Sequence, residues 1–459
     1  MKRIVSLLLA LTLVLGLVPA VVADEAPASD LLTLTTEPIT LRYATNGQDI
    51  ELTKVLADQF MQQYPNITVE VLEMDSATYQ DALTNMASTQ NLPDVFWPDA
   101  VQEALLKDWL LNLTPYFEAD PDAKLLNQAL LDGSVIGGRQ YSVPMQSAPY
   151  VMVVNKTIFD KYNVEMPSLT WTWEEYCEKM EEVSHPEDYY FGAGHSFNSG
   201  YFQTEWGWDG NSYTFSDDWM ATEETVNDWV SRGLTDQDTT EEERLTIYGD
   251  ASATASSQGR VAMEPIVMYT ASTAGWLDGT MEAQNGCDLV FYPMPQGKQL
   301  TFIQPASIAK SCQYPNEAWE LMKWMGWGKE ATLLIQKYWD EQETPACLIP
   351  MIDDEEVWQD CIDRAHPELK DFMANIGDCV PYNGNYSPDG NNRRINWNFV
   401  VAPEIQSGKR NLADEVKDCY KRYNDAVARY FKKCPEFKDS GYVFTTATDL
   451  ATATDADIQ

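Results

Sequence analysis

The sequence predicts an α/β protein of two lobes, each a mostly parallel sheet flanked by helices. Apolar strand patterns alternate with helical patterns from residue 39 to residue 109, an order typical of a parallel sheet covered by helices. A second αβ unit of different composition follows residue 173. Residues 141–173 lie between the two units and contain a buried strand pattern at 150–154. We interpret this stretch as a crossing between the lobes and expect the functional site in the space between them.

The N-terminal segment has the pattern of a signal peptide. Lys2 and Arg3 form a basic start, residues 4–18 are apolar, and small residues end the segment at position 23. The apolar run is too short for a stable membrane span. We therefore expect residues 1–23 to be removed and the mature protein to be secreted, with residues 24–38 as a flexible leader. No cysteine lies directly after the apolar run, so a lipid-anchored N-terminus is not supported.

The charge balance is strongly acidic, with a formal net charge of −40. Nucleic acids and polyphosphates require a basic surface, so the composition disfavours these partners. An acidic shell that keeps the protein in solution explains the charge better than a cationic ligand does.

The cysteine pattern predicts no metal or redox site. The eight cysteines include no Cys-x-x-Cys pair, and no Cys/His metal spacing occurs with only three histidines in the chain. We expect no cofactor. Export would permit disulfides, but spacing does not give their pairing, and free buried thiols are an open alternative.

The elements of the first unit follow from periodicity and turn residues. Asp49 is a candidate N-cap for one helix, and Pro65 ends that helix. The predicted order is strand 39–45, turn 46–49, helix 50–64, strand 67–72, helix 79–89, strand 93–97 and helix 100–109. In such sheets ligands bind beyond the carboxyl ends of the strands, which indicates residues 46–49 and 97–99.

The second half alternates less regularly and becomes mostly helical towards its end. Residues 191–229 are rich in Gly, Asn and aromatic side chains. Further predicted elements are helices 157–162, 173–182 and 239–248, strands 261–263 and 289–294, a return strand pair at 297–309, and helices 315–329, 355–365, 367–373 and 412–431. The Thr/Ala/Asp-rich tail, residues 436–459, is predicted to be disordered.

Several short motifs, taken in order, resemble family 1 of the extracellular solute-binding proteins of ABC importers, the maltose-binding-protein-like group. Each motif alone is weak, but the ordered set is fairly specific, and the resemblance covers about residues 39–430. The motifs are the strand-turn-helix 41–64, Pro-Asp-Val-Phe-Trp at 93–97, Leu-Asn-Leu-Thr-Pro at 111–115, Tyr-Ser-Val-Pro at 141–144, Val-Asn-Lys at 154–156, Thr-Trp-Glu-Glu at 172–175, Gly-Arg-Val-Ala-Met at 259–263 and Thr-Pro-Ala at 344–346.

The resemblance implies a two-lobe periplasmic-binding-protein fold, type II-like, whose lobes are joined by hinge crossings and close on a ligand. It divides the chain into an N-terminal lobe of residues 39–146 and 298–343 and a C-terminal lobe of residues 147–297 and 344–435. The chain departs from the family pattern in its many cysteines, in the missing lipid-anchor cysteine and in the details of residues 191–229.

A carbohydrate site needs flat aromatic rings for the sugar faces and planar polar side chains for adjacent hydroxyls. Trp97 and Asp99, at a strand end, match the aromatic and acidic ligand contacts of the family. Asn46 and Gln48 match its first loop contacts, although turn chemistry explains them equally well. Gln146, at the first crossing, matches a polar ligand contact of the family. A role in the hinge alone is the alternative.

The second lobe supplies the remaining candidates by resemblance. Of the aromatic residues at 201–208, we expect Tyr201 or Trp206 to stack on the ligand, while others in this group belong to the core. Tyr269 stands where the family carries a stacking aromatic, with a core role as the alternative, and Glu264 is expected behind the contact residues. The last candidates are the loosely aligned Trp397 and Gln304 of the return strand.

These observations predict a secreted, monomeric receptor that binds a carbohydrate, an oligosaccharide in our interpretation, and delivers it to the transmembrane subunits of an ABC permease. One alternative is a glycoside hydrolase, which needs two carboxylates about 5–9 Å apart. Asp99 and Glu264 could face each other, although ligand hydrogen bonding explains them more simply. A sensor or surface binding protein without a transport role is the other alternative.

Overall fold

The computed structural model describes most of the chain between residues 31 and 433, and every structural statement below concerns that part. The described residues are 31–45, 50–132, 134–136, 138–194, 213, 215, 217–273, 275–277, 279–343, 348–381 and 396–433.

Strands and helices alternate in the first part, and helices dominate the last part. The described strands are β1 Ile39–Thr45, β2 Ile67–Glu73, β3 Val95–Phe96, β4 Val135–Ile136, β5 Arg139–Gln140, β6 Val143–Asn155, β7 Met263–Val267, β8 Leu289–Tyr292, β9 Lys298–Ile308 and β10 Asp378–Pro381. The α-helices are α1 Ile50–Gln63, α2 Tyr79–Ser88, α3 Val101–Leu106, α4 Thr114–Ala119, α5 Gln128–Asp132, α6 Lys156–Tyr162, α7 Trp173–Val183, α8 Asp217–Ser231, α9 Glu241–Tyr248, α10 Met268–Thr273, α11 Thr280–Asn285, α12 Pro315–Met322, α13 Lys329–Glu341, α14 Glu355–Arg364, α15 Pro367–Ala374, α16 Ala402–Gln406 and α17 Leu412–Lys433. Two π-helical segments, Lys323–Trp327 and Trp397–Val401, follow α12 and precede α16.

The main sheet is mixed, with the described strands in the order β2-β1-β3-β9-β6-β7, β10 beside β9 and β8 beside β6. The parallel arrangement predicted for the first unit is present, because β1 pairs in parallel with both β2 and β3. The strands around β6 are antiparallel: β9 pairs with its first half, and β7 and β8 pair with its second half. Helices cover this sheet, which is the α/β class that the sequence predicts.

Two strands, β6 and β9, run through the middle of the molecule and form a ribbon that we call the crossing ribbon. Its register runs from Val143 opposite Ala306 to Pro149 opposite Thr301. The return segment is a single strand, so the predicted strand pair at 297–309 is wrong. The turn lies just before β9, where Gln296 and Gly297 have positive φ angles and reverse the chain.

The cores explain why these elements form where they do. In the first lobe, Phe60, Trp319 and Trp327 are buried between α1, α12 and the π segment that follows α12. A single helix predicted at 315–329 is interrupted because Gly328 is extended (φ −66°, ψ 152°). A second core centres on Trp171, and α7 begins at Thr172, whose side chain accepts the Glu175 backbone N–H at 3.2 Å.

The later helices contact both parts of the chain. Asp354 caps α14 and pairs with Lys329 at 3.0 Å, and Arg364 pairs with Asp340 of α13 at 2.7 Å. Helix α14 therefore packs on α13 of the predicted N-terminal lobe, although its residues fall in the segment assigned to the C-terminal lobe.

Two further observations concern the described part of the chain. Its helices include none that is both long and apolar enough to cross a membrane. Cys177, Cys287, Cys312 and Cys419 are free thiols.

Candidate functional site

The strand register brings the end of β3 to the middle of the crossing ribbon. Phe96, the last residue of β3, lies opposite Ser307 of β9, and β3 runs antiparallel to β9. Trp97 therefore continues towards the level at which Gln304 of β9 lies opposite Gln146 of β6. Gln146 and Gln304 are thus direct cross-strand partners, and Trp97 follows a strand that pairs with β9.

The end of β7 approaches the same region from the other direction. Val267, the last residue of β7, lies opposite Tyr150 of β6. Tyr269 follows two residues later on α10, the short helix that begins directly after β7. The two strand ends lie on opposite sides of the crossing ribbon and at different levels along it, because β3 ends near the pairing of Val143 with Ala306 and β7 ends beside Tyr150.

Trp97 is half-buried and held by two buried tyrosines. Its indole N–H donates to the Tyr43 hydroxyl at 2.8 Å, and its backbone N–H donates to the Tyr79 hydroxyl at 3.0 Å. Burial raises the pKa of both tyrosine hydroxyls well above the ordinary value, so both stay protonated and can serve as fixed partners. One edge of the indole is therefore anchored in the core, while part of the side chain remains open.

Asp99 is exposed beyond the strand end. Partial desolvation of its carboxyl group raises its pKa above the ordinary value, and an interaction with the Gln80 side chain opposes this effect. An exposed carboxylate in this position can accept hydrogen bonds from hydroxyl groups.

Tyr269 presents an open side chain on a short helix that is otherwise well anchored. Its neighbours Met268 and Ala271 are fully buried, whereas Tyr269 is 48% exposed. The burial of these neighbours fixes α10 on the core and leaves the tyrosine at the surface. The alternative core role considered for this residue does not agree with its exposure.

Glu264 lies away from the ribbon centre, opposite Val153 in the β6–β7 pair. The Ser256 hydroxyl donates a short hydrogen bond to its carboxyl group. A side-chain carbon added at Gly194 would lie only 3.0 Å from Glu264 Oε1, so the two residues are in close contact. Burial raises the pKa of Glu264 to about 7, and Asp236 adds to this effect while the Ser256 hydrogen bond opposes it.

The position of Glu264 makes a carboxylate pair with Asp99 unsuited to glycoside hydrolysis. Val153, opposite Glu264, is seven residues along β6 from Gln146, or roughly 23 Å at the rise of a strand. Hydrolysis requires carboxyl groups about 5–9 Å apart. Among the described residues, no cluster of three or more His, Cys, Asp or Glu side chains could hold a metal ion.

Trp397 is fully buried, so it does not have the ligand-stacking role that the resemblance implies for it. Its indole N–H donates to Glu223 Oε1 at 3.2 Å, and its ring packs edge-on against Trp219. These contacts place it in a separate helical core with Tyr423 of α17. We therefore leave Trp397 out of the candidate site.

Four predicted site residues lie outside the described part of the chain. Asn46 and Gln48 follow β1, and Tyr201 and Trp206 follow Gly194.

One exposed ring in this region was not singled out from the sequence. Phe302 of β9 is 41% exposed and lies opposite Ala148 of β6. It precedes Gln304 by two residues, so both side chains point to the same face of the sheet. This alternation was the signal available in the sequence, but it requires β9 to be recognised as a single strand.

A profile of the bacterial extracellular solute-binding protein family matches residues 45–326. The chain belongs to this family. No curated protein matches it at a significant level.

Solved structures of sugar-binding proteins share the fold. The sugar-binding protein MalE from Xanthomonas citri is similar over 88% of this chain and 100% of its own, with 14% identity and a TM-score of 0.68. A sugar transporter from Rhizobium etli in an open conformation is similar over 85% and 99%, with 17% identity and a TM-score of 0.64. An ABC substrate-binding protein from Listeria monocytogenes is similar over 86% and 99%, with 16% identity and a TM-score of 0.59. Identities this low support a common two-lobe fold.

Proposed function

We propose that this protein is the extracellular receptor of an ABC importer and that it binds an oligosaccharide in a groove over the crossing ribbon. The observation that carries the proposal is the pairing of the amides Gln146 and Gln304 on the crossing ribbon, together with two partly open aromatic residues, Trp97 and Tyr269, on the elements that follow β3 and β7 on its two sides. Rings stack on sugar faces, and amides bond hydroxyl groups as both donor and acceptor.

The ligands of similar proteins agree with this chemistry. The Listeria monocytogenes protein was solved with cycloalternan, and a cyclo/maltodextrin-binding protein of similar fold was solved with maltotetraose. We infer an oligosaccharide on these grounds.

Transport would follow from lobe closure. A ligand held by residues of both lobes makes all of its contacts only when the lobes are closed, so it shifts the equilibrium towards the closed form. The closed form would then dock on the transmembrane subunits of a permease. We also infer export directed by residues 1–23, which N-terminal sequencing of the secreted protein would test by finding Asp24 first.

A thermal-shift screen against neutral oligosaccharides, followed by calorimetry, tests the binding function. A ligand present at about 100 times its Kd should stabilise the protein by roughly 2.7 kcal/mol. Trp97→Ala and Tyr269→Ala should each weaken binding about tenfold, because each removes one stacking surface.

Phe399→Ala is the matched control, since Phe399 is 69% exposed on the π segment Trp397–Val401, outside the candidate groove. Unchanged affinity in both Trp97→Ala and Tyr269→Ala would reject the site. Release of shorter sugars during incubation would favour the hydrolase alternative.

A further inference from the structure

We propose that Phe302 is the platform on which one neutral sugar unit lies, with Gln146 and Gln304 holding hydroxyl groups at its edge. This inference rests on the proposed carbohydrate function and names a contact on the crossing ribbon itself. It places a ligand subsite between the two strand ends rather than on either lobe.

The exposure of Phe302 departs from the rest of its strand. Leu300 and Ile303 are buried, as expected for a strand in the middle of a sheet, whereas Phe302 is 41% exposed. The residue opposite it is Ala148, whose side chain is too small to cover a phenyl ring. Ala148 is itself buried, so Phe302 is the member of this pair that is open to solvent.

The other face of the crossing ribbon is closed. Ser147 lies opposite Ile303 there, and its hydroxyl donates to the Ile349 carbonyl at 3.1 Å. Met145 packs against Gly326, where an added side-chain carbon would lie 2.6 Å from the Met145 Cε atom. Among the described residues, the face of the ribbon that carries Phe302 is the more open of its two faces.

The two amides stand beside the ring on this open face. Gln304 follows Phe302 by two residues, and Gln146 is directly opposite Gln304. Neighbours along or diagonally across a strand pair lie about 7–8 Å apart, which is close to the width of a pyranose ring with its hydroxyls. A sugar stacked on Phe302 would thus present its edge hydroxyls to two donor–acceptor groups.

The continuations of β3 and β7 complete the arrangement. Trp97 follows β3, which pairs with β9, and Tyr269 lies on α10 directly after β7, which pairs with β6. The side chains of the ribbon face, Gln146, Ala148, Phe302 and Gln304, carry no formal charge. This neutrality favours an uncharged sugar over a uronic acid, which would call for a cationic partner.

Calorimetric titration of the mature protein with maltotetraose, cellotetraose, xylotetraose and tetragalacturonate tests the proposal. For the neutral sugar that binds best, Phe302→Leu should weaken binding about five- to tenfold, because leucine is apolar but offers no flat face. Phe302→Trp should keep binding within about twofold. Phe399→Leu is the control for an exposed phenylalanine outside the groove and should leave affinity unchanged.

Gln146→Leu provides a second variant and should weaken binding several-fold while keeping the ribbon apolar. Circular dichroism of the free variants checks that each one folds. Wild-type affinity in Phe302→Leu, with sugar binding by the wild type intact, would overturn this proposal and leave the proposed function standing. Preference for tetragalacturonate would overturn the neutral-sugar assignment, and no binding of any probe would reject both proposals.

Discussion

Glu264 shows how burial changes a single acidic residue. It is enclosed by Ser256 and Gly194, and its pKa of about 7 means that it holds a proton under mildly acidic conditions. Gly194 is the last described residue before the segment that contains Tyr201 and Trp206. Ionisation of Glu264 would therefore place a charge directly beside Gly194.

Glu264→Gln should change how stability depends on pH. Between about pH 4.5 and 7 the folded wild type retains a proton that the unfolded chain has lost, so its stability falls as pH rises through this window. Glutamine cannot ionise, so the variant should be more stable than the wild type above pH 7, by up to about 3 kcal/mol, and nearly equal at pH 5.

Denaturant unfolding at pH 5 and pH 8 measures this difference. Glu178→Gln, which changes an exposed acid of α7, is the control and should follow the wild-type profile. If Glu264→Gln and the wild type lose stability in parallel between the two pH values, the raised pKa is not present.

At the scale of elements, the crossing ribbon depends on the π segment Lys323–Trp327 behind it. Gly326 of this segment contacts Met145 at the β-bulge of β6. A side-chain carbon at this position would require the Met145 side chain to move, because its Cε would lie 2.6 Å away. The segment therefore supports the closed face of the ribbon.

Gly326→Ala should destabilise the protein by about 1–3 kcal/mol, since the new carbon lies 2.6 Å from Met145 Cε and 3.2 Å from Met145 Cβ. Unfolding in denaturant measures the loss. Combining it with Met145→Ala should cost less than the sum of the two single changes, because the second change removes the atoms that clash. Additive effects would show that the two residues do not share this contact.

The sequence was informative for elements set by local signals. Pro98 directly after Trp97 marked the end of β3, and Thr172 with Glu175 marked the start of α7, and both elements lie where they were predicted. The sequence did not reveal that β9 is one continuous strand, because this depends on its pairing with β6, which is far away in the sequence. Trp397 and Glu264 were equally beyond reach, since their surroundings come from helices and loops far away in the sequence.

At the scale of the whole molecule, β6 connects two different sets of pairing partners. Its first half belongs with β9 and its second half with β7 and β8. Together with β9, it gives the lobes a narrow connection about which they can rotate. Hinge closure of this kind is a common response of two-lobe proteins to ligand.

Small-angle scattering should detect this closure. The radius of gyration expected from chain length is roughly 22 Å for a compact form, and the open form should exceed it. Saturating amounts of the best oligosaccharide should lower the measured value in the wild type, and Trp97→Ala should need about tenfold more sugar for the same decrease. An identical scattering curve with and without bound sugar would contradict closure.

The anchoring of Trp97 has a consequence for the entropy of binding. Before any ligand arrives, the Tyr43 hydroxyl accepts the indole N–H and the Tyr79 hydroxyl accepts the backbone N–H of Trp97, so the ring has few rotamers left to lose on association. Removing the Tyr43 hydroxyl would release that restraint, and the same contacts with a sugar would then form from a disordered side chain.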